Sequence, residues 1–373
     1  MRKRHNSVTT TIVIATVLAV IAGGCWRSAT TTETADDSAS ETAGSTADVP
    51  PTSEPPATVP PTTEPAQATD DRVTPVHADA TFEVSVTTDI VYGQALSHQS
   101  WGSGDAAIID LLVDVYEPVR SDQAVMPAVV MIHGGGFVSG SKEHGPLSEM
   151  AVWFAERGYV AYSINYRLAD DVGTLPDGYP EPPVAVTDKQ SQQWRALYPA
   201  CRDAKAAIRW VRATADDYSI DPDHIAVVGG SAGSNLAIML GASHPEDCVS
   251  EIDVETDPTL ASTNLDQSSE VATVIDHWGG HAVLSMIELI NGGGSRFDPS
   301  DAPVSIVHGT ADRTVDFSEA ERLRAEYEQT GVAYEWHPLD GAGHGAWRAE
   351  IGGRPLVESA AAFIVETQGL TVH

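Results

Sequence analysis

Residues 225–241 read IAVVGGSAGSNLAIMLG, and this stretch decides the fold. Ile225–Val228 is a short apolar run, the composition of a strand covered on both faces. Ser234–Gly241 continues in a helical pattern. Between them, Gly229-Gly230-Ser231-Ala232-Gly233 is G-x-S-x-G in a strand-to-helix setting. A serine on so tight a turn is forced into strained backbone geometry, and its neighbours must be small. Its hydroxyl then stands above the carboxyl edge of the sheet with a helix N-terminus behind it. Taken alone, Ser231 reads more plainly as a helix cap, because Gly, Ser and Ala are common. The strand before it and the helix after it make the nucleophile reading strong.

Outward from this turn, short apolar runs alternate with helical patterns. Strands are expected over Pro127–Ile132, Val160–Tyr166, Ile225–Gly229, Val271–His277, Pro303–His308 and Ala333–Pro338. Helices are expected over Leu147–Arg157, Cys201–Thr214, Ala232–Gly241, Ala282–Ile290, Ser318–Thr330 and Leu356–Thr367. In Cys201–Thr214, Ala204, Ala207, Ile208 and Val211 share one side. Such alternation predicts an α/β fold, a mostly parallel sheet with helices on both faces. Phe82–Val91 and Ile108–Tyr116 alternate with period two and predict an antiparallel pair ahead of it. Gly102–Ala107 matches a dinucleotide fingerprint, but no strand leads straight into it, so it reads as a hairpin loop. Asp221-Pro222-Asp223 reads as a turn rather than a calcium loop, since the later ligands are missing.

The chain of 373 residues fits two average domains or one large α/β domain. Its 21 Lys plus Arg against 53 Asp plus Glu leave a formal charge of −32. That balance argues against a nucleic-acid partner, which needs a basic stripe, and against attraction to an anionic lipid surface. No HExxH, CxxC pair or clustered histidines suggests a metal.

The first 25 residues differ from the rest. Arg2, Lys3 and Arg4 precede a nearly unbroken apolar run from Thr11 to Ala22, then Gly23-Gly24-Cys25. A basic start, a short apolar core and small residues mark an export signal over 1–24 rather than a spanning helix. The cysteine resembles that of the bacterial lipoprotein lipobox, which becomes lipidated and opens the mature chain. Ala22 stands where that pattern favours leucine, and plain secretion with cleavage near Gly24 is the alternative. Residues 30–71, TTTETADDSASETAGSTADVPPTSEPPATVPPTTEPAQATDD, hold no periodic apolar face. A disordered linker is expected over 25–75, with a catalytic domain over 76–373. The expected address is the outer face of a bacterial membrane, reached only through the lipid anchor, or the medium.

A second stretch suits the same serine. The strand ending at Ile132 runs into His133-Gly134-Gly135-Gly136-Phe137. Consecutive glycines let two backbone N–H groups point at one spot, where an oxygen gaining negative charge can sit. A nucleophilic serine also needs a base, and the base an orienting acid. Strand Pro303–His308 ends in Gly309-Thr310-Ala311-Asp312, and strand Ala333–Pro338 leads through Asp340 to His344. Asp312 and His344 are the expected acid and base, with Asp316 and Asp340 as runner-up acids. Ala232 is expected to give a further oxyanion N–H. His133 is expected to support its loop rather than react.

HGGGF (133–137), NYRL (165–168), YPACRDAKAAIRWVR (198–212), DPDHIAVVGGSAG (221–233), HGTAD (308–312) and DGAGHG (340–345) together resemble the α/β-hydrolase carboxylesterases with an HGGG oxyanion motif. Within these, the chain is similar to the bacterial group that includes feruloyl and acetyl-xylan esterases. The resemblance covers about Asp89 to the C-terminus. It implies an eight-stranded, mostly parallel sheet and serine esterase activity with no metal and no cofactor. It also implies Gly135 and Gly136 as the oxyanion donors of the loop. Residues 169–199 are longer than the usual link and are expected to form a partial lid within 166–200. Ser234-Asn235 stand where many relatives carry another glycine, a change expected to be harmless.

With Cys25 assigned to the anchor, Cys201 and Cys248 remain, and an even pair in an exported chain suggests a disulfide. Trp101, Phe137, Tyr198 and Trp347 are candidates for walling a pocket, although core packing explains each equally well. The expected substrate is a small-molecule or polysaccharide ester, of short-acyl, aryl, acetyl or feruloyl type. Two rivals stand beside this reading. One is a surface adhesion module on a silent hydrolase fold, which would usually have lost one of these residues. The other is a serine peptidase or amidase of the same fold. Its prolyl-oligopeptidase type needs a gating domain for which about 300 residues leave no room.

Overall fold

The computed structural model describes residues 73–122, 124–181 and 186–373. The expected signal over 1–24, Cys25 and the expected linker as far as 72 lie outside the described residues. The domain begins slightly earlier than expected. Val73 is buried with Val76 in the core, and the Thr74 N–H donates to the Val125 carbonyl at 2.8 Å. Thr74-Pro75 reads as linker by composition, yet two valines three residues apart are enough to anchor it.

Eight strands form one sheet: β1 (Val84–His98), β2 (Ala106–Pro118), β3 (Met126–Ile132), β4 (Val160–Ile164), β5 (Ile220–Gly230), β6 (Thr273–His277), β7 (Val304–Gly309) and β8 (Tyr334–Leu339). Their order is β1-β2-β4-β3-β5-β6-β7-β8. β1 pairs with β2 and β2 with β4 in antiparallel fashion, and every later pairing is parallel. The expected antiparallel pair and mostly parallel eight-stranded sheet are both present, and 102–105 lie in the turn between β1 and β2. β5 begins at Ile220, so the turn expected at 221–223 is instead an irregularity inside the strand, where its register against β3 slips.

The longer helices are α1 (Gly145–Ala155), α2 (Asp188–Ala213), α3 (Ala232–Ala242), α4 (Ala282–Ile290), α5 (Phe317–Thr330) and α6 (Leu356–Gln368). Side chains of a strand alternate between faces, and the central strands show it. Val129 and Met131 of β3 and Ala226 and Val228 of β5 pack under α1 and α6. Ala128, Val130 and Ile132, with Ile225 and Val227, pack under α2, α3, α4 and α5. Both faces are therefore dry, which is why these strands read as unbroken apolar runs. No helix among the described residues is long and apolar enough to cross a membrane.

α2 corrects two expectations. It starts at Asp188, thirteen residues ahead of the expected Cys201, and takes in Pro199. Thr187 caps it, its Oγ1 accepting from the Gln190 N–H while Gln190 Oε1 accepts from the Thr187 N–H. Residues 188–200 are thus not lid but the first half of a core helix, with Trp194, Leu197 and Tyr198 fully buried. Cys201 on α2 is joined by a disulfide to Cys248, beyond α3, with 6.1 Å between Cα atoms. The two ends of the domain also meet. Val76 bridges Val372, with the Val76 N–H donating to Thr371 O at 2.9 Å and the His373 N–H to Val76 O at 2.8 Å.

Candidate active site

Ser231 lies between the last residue of β5 and the first of α3, at φ 56° and ψ −116°. This left-handed backbone is costly for a residue with a side chain, and the surroundings hold it there. The Ser231 N–H donates to the His277 carbonyl at 2.9 Å. Asn235 Nδ2 donates to the Ser231 carbonyl at 3.1 Å, while its Oδ1 accepts from the Ala282 N–H at 3.0 Å. Ser234 Oγ donates to Gly229 O at 3.0 Å and accepts from the His277 N–H at 2.8 Å. Ser234 and Asn235, expected to be a harmless departure from glycine, are therefore working parts of the turn. A side chain at Gly233 would drive into the Ile132 carbonyl, so α3 can press on β3 only through glycine.

The three expected residues meet. His344 Nε2 is 2.8 Å from Ser231 Oγ, and His344 Nδ1 is 2.7 Å from Asp312 Oδ2. An ionised carboxylate only accepts, so Nδ1 carries hydrogen and Nε2 is left with a lone pair facing the serine hydroxyl. Asp312 Oδ1 accepts from the N–H groups of Thr314 at 2.7 Å and Val315 at 3.1 Å. Burial pushes the Asp312 carboxyl up, but hydrogen bonds from His308, His344 and Thr314 outweigh it and hold it well below the ordinary carboxylate range. The runner-up acids are engaged elsewhere. Asp316 caps α5 through the Ser318 N–H at 3.0 Å, and Asp340 accepts from Thr310 Oγ1 at 3.5 Å.

Gly135 and Gly136 sit at φ 116° and 63°, and a side chain at Gly135 would strike the Ser139 carbonyl. The Gly136 carbonyl accepts from Gln193 Nε2 of α2 at 2.8 Å. No hydrogen bond among the described residues uses the Gly135 or Gly136 N–H. The Ala232 N–H is the first of α3 and has no partner within its helix. All three line a cleft of about 660 Å³ together with Ser231 and His344. His133 stays out of it as expected. Its ring stacks on Tyr166 with centroids 4.3 Å apart, and Tyr166 Oη donates to the His133 carbonyl at 2.9 Å. Burial pushes that imidazole down to about 4, so it is neutral. Its Nδ1 lies 2.7 Å from Gly134 O, which only accepts, so Nδ1 carries the hydrogen.

Of the candidate wall residues, Phe137 and Trp347 line the cleft. Tyr198 is buried in the core, its hydroxyl donating to Glu251 Oε2 at 3.2 Å, and Trp101 lies in the β1–β2 turn. Trp278 and Gln193 were missed. Trp278 meets Trp347 edge to face at 4.7 Å on the cleft wall. Trp278 stands one residue past the expected strand Val271–His277 and Gln193 in the stretch expected as a partial lid, and neither carries a motif of its own.

A family model described as BD-FAE matches residues 113–177 and 184–293. The ethyl acetate hydrolase of Pseudomonas putida is 25% identical over 331 residues, covering 81% of this chain and 93% of that one. A 147-residue stretch is 33% identical to the 5-methylorsellinic acid synthase of Aspergillus terreus, and covers 37% of this chain but only 5% of that much longer enzyme. Among solved structures, Thermogutta terrifontis esterase 2 phosphorylated by paraoxon superposes with a TM-score of 0.52 at 25% identity, covering 77% of this chain and 95% of that one. The fold is the α/β-hydrolase fold.

Proposed function

We propose that the protein is a serine carboxylesterase that works through an acyl-enzyme. The observation that carries this reading is the unbroken hydrogen-bond line Asp312–His344–Ser231 at the wall of a cleft that also holds three oxyanion donors. His344 Nε2 takes the proton as Ser231 Oγ attacks the ester carbonyl. The new oxyanion is held by the N–H groups of Gly135, Gly136 and Ala232, each such donor being worth about 3 kcal/mol in the transition state. His344 then gives its proton to the leaving alcohol. A water, deprotonated by His344, releases the acid and restores Ser231. The P. putida ethyl acetate hydrolase supports a short acyl group by its name. Acetyl and feruloyl esters of carbohydrate belong to the same proposal through the sequence resemblance.

Labelling with a fluorophosphonate, followed by p-nitrophenyl esters of graded chain length beside acetylated xylan and methyl ferulate, tests this. An unlabelled Ser231 and no turnover of any ester would overturn it. Export by the leader and lipidation of Cys25 are part of the proposal, supported by the basic-apolar-small pattern of residues 2–25. Incorporation of labelled fatty acid that persists in Cys25→Ser would refute the anchor.

A further inference from the structure

Asp312 touches a second imidazole. His308, in β7 and fully buried, has Nε2 3.0 Å from the Val315 carbonyl and 3.4 Å from Asp312 Oδ2. That oxygen is the one facing His344. A carbonyl only accepts, so His308 Nε2 carries a hydrogen, directed between the two oxygens. The other ring nitrogen, Nδ1, is buried with no hydrogen-bond partner. On the neighbouring strand β6, Asp276 is fully buried too. Its Oδ1 accepts from the Gly279 N–H at 2.8 Å, and its Oδ2 has no partner.

The charges around His308 are lopsided. Asp276 from β6, Asp312 from the loop after β7, and Asp316 and Glu319 from α5 all act on it electrostatically. Glu319 is met by the Arg322 guanidinium at 3.3 Å and faced at 3.4 Å by His281, whose imidazole burial pushes down to about 3 and so leaves neutral. Phe317 of α5 packs edge-on to the His308 ring and adds no charge. Burial opposes a charged imidazole, but the hydrogen bonds to Asp312 and the Val315 carbonyl and the charge of Asp276 more than offset it, and the net shift is upward. Burial pushes the Asp276 carboxyl up, and the charge of His308 and the Gly279 N–H pull it back only in part, so a charged Asp276 depends on a cation beside it.

Building on the esterase reading, we infer that His308 is a positioning residue: an imidazolium held against Asp312 and the Val315 carbonyl, with Asp276 on the neighbouring strand, whose Nε2–H fixes the carboxylate that orients His344. With that charge beside it, Asp312 stays an acceptor while His344 becomes cationic during turnover. The same charge makes His344 a weaker base, so the enzyme stays active to lower pH than it otherwise would.

The test compares the pH profile of kcat/KM for a p-nitrophenyl ester in the wild type and in His308→Gln, which keeps an N–H and loses the charge. The acid limb is expected to move to higher pH by about half a unit or more, with kcat falling about tenfold and KM little changed. A folded, active His308→Gln with an unmoved limb would overturn the inference. Nitrogen-15 NMR of histidine in the intact wild type is the second arm. It should show one ring with both nitrogens protonated at pH 8, assigned by its loss of a proton in Asp276→Asn. If no ring is doubly protonated, the inference fails even where His308→Gln does not fold. A wild type that hydrolyses no ester and takes no fluorophosphonate would bring down the esterase reading, and the positioning role with it.

Discussion

The turn at 229–235 and the stretch at 166–200 face the same cleft, yet they are held in opposite ways. The turn is local. Every group that fixes Ser231 lies within five residues of it or on the adjoining end of β6 and start of α4, and the absence of a side chain is required at 229 and 233 by backbone in contact and at 230 by the Trp347 ring. The stretch is held from a distance. The Arg167 guanidinium donates to the Asp203 carboxylate at 2.7 Å and to Leu96 O at 3.1 Å, Tyr166 Oη donates to His133 O at 2.9 Å, and Gln193 reaches 57 residues back to Gly136. The first keeps its shape from the residues that compose it, and the second borrows its shape from the core. Chemistry that tolerates no displacement sits on the first.

Replacing Ser231 by Ala tests that division most severely. It should lower kcat by about 10⁶ while leaving the fold intact, read as turnover beside a thermal melt. Next in size, removing the disulfide by Cys201→Ala and Cys248→Ala should cost about 4 kcal/mol in urea unfolding, from a loop of 47 residues, with kcat preserved. Loss of kcat there would mean that the borrowed half also sets the chemistry. Gly233→Ala should cost about 3 kcal/mol and take activity with it, because the added methyl meets a carbonyl on β3.

Acid should loosen the turn first. Burial pushes His277 down to about 3 and His133 down to about 4, and both adjoin the turn or its oxyanion loop. Both are neutral in the folded chain at neutral pH. As pH falls below about 6.5 the unfolded chain takes up protons that these rings refuse, so stability is lost progressively between roughly pH 6.5 and 4. Hydrogen exchange at 229–235 should rise over this range before exchange in α2 does. The smallest effect is expected at Gln193→Ala, where loss of one hydrogen bond to the oxyanion loop should reduce kcat up to about tenfold. An unchanged kcat would confine α2 to a packing role.

The same division governs what could be read beforehand. Ser231, Asp312 and His344 were legible because each follows a strand on a small-residue turn, and strand ends mark the reactive edge of a parallel sheet. Asn235, His308, Gln193 and Trp278 were not, since their partners come from other elements and nothing beside them in sequence says so. α2 begins ahead of the expected Cys201 and runs through Pro199, a residue that disfavours a helix interior. Proline inside a helix costs about 3 kcal/mol, and burying Trp194, Leu197 and Tyr198 offsets it. Thr187 and Gln190 cap the start of α2, a T-x-x-Q pattern that the expected helix start at Cys201 does not use.

The meeting of Val76 with Val372 has a mechanical consequence. Tension arriving along the chain ahead of residue 73 is met by the packing of Val73 and the Thr74–Val125 hydrogen bond, and then by three backbone hydrogen bonds between residues 76–78 and 371–373. The sheet that carries Ser231 lies beyond that clasp. A pull strong enough to strip the clasp would peel the two tails apart before it deformed the reactive edge, so the domain can be tugged without losing its alignment.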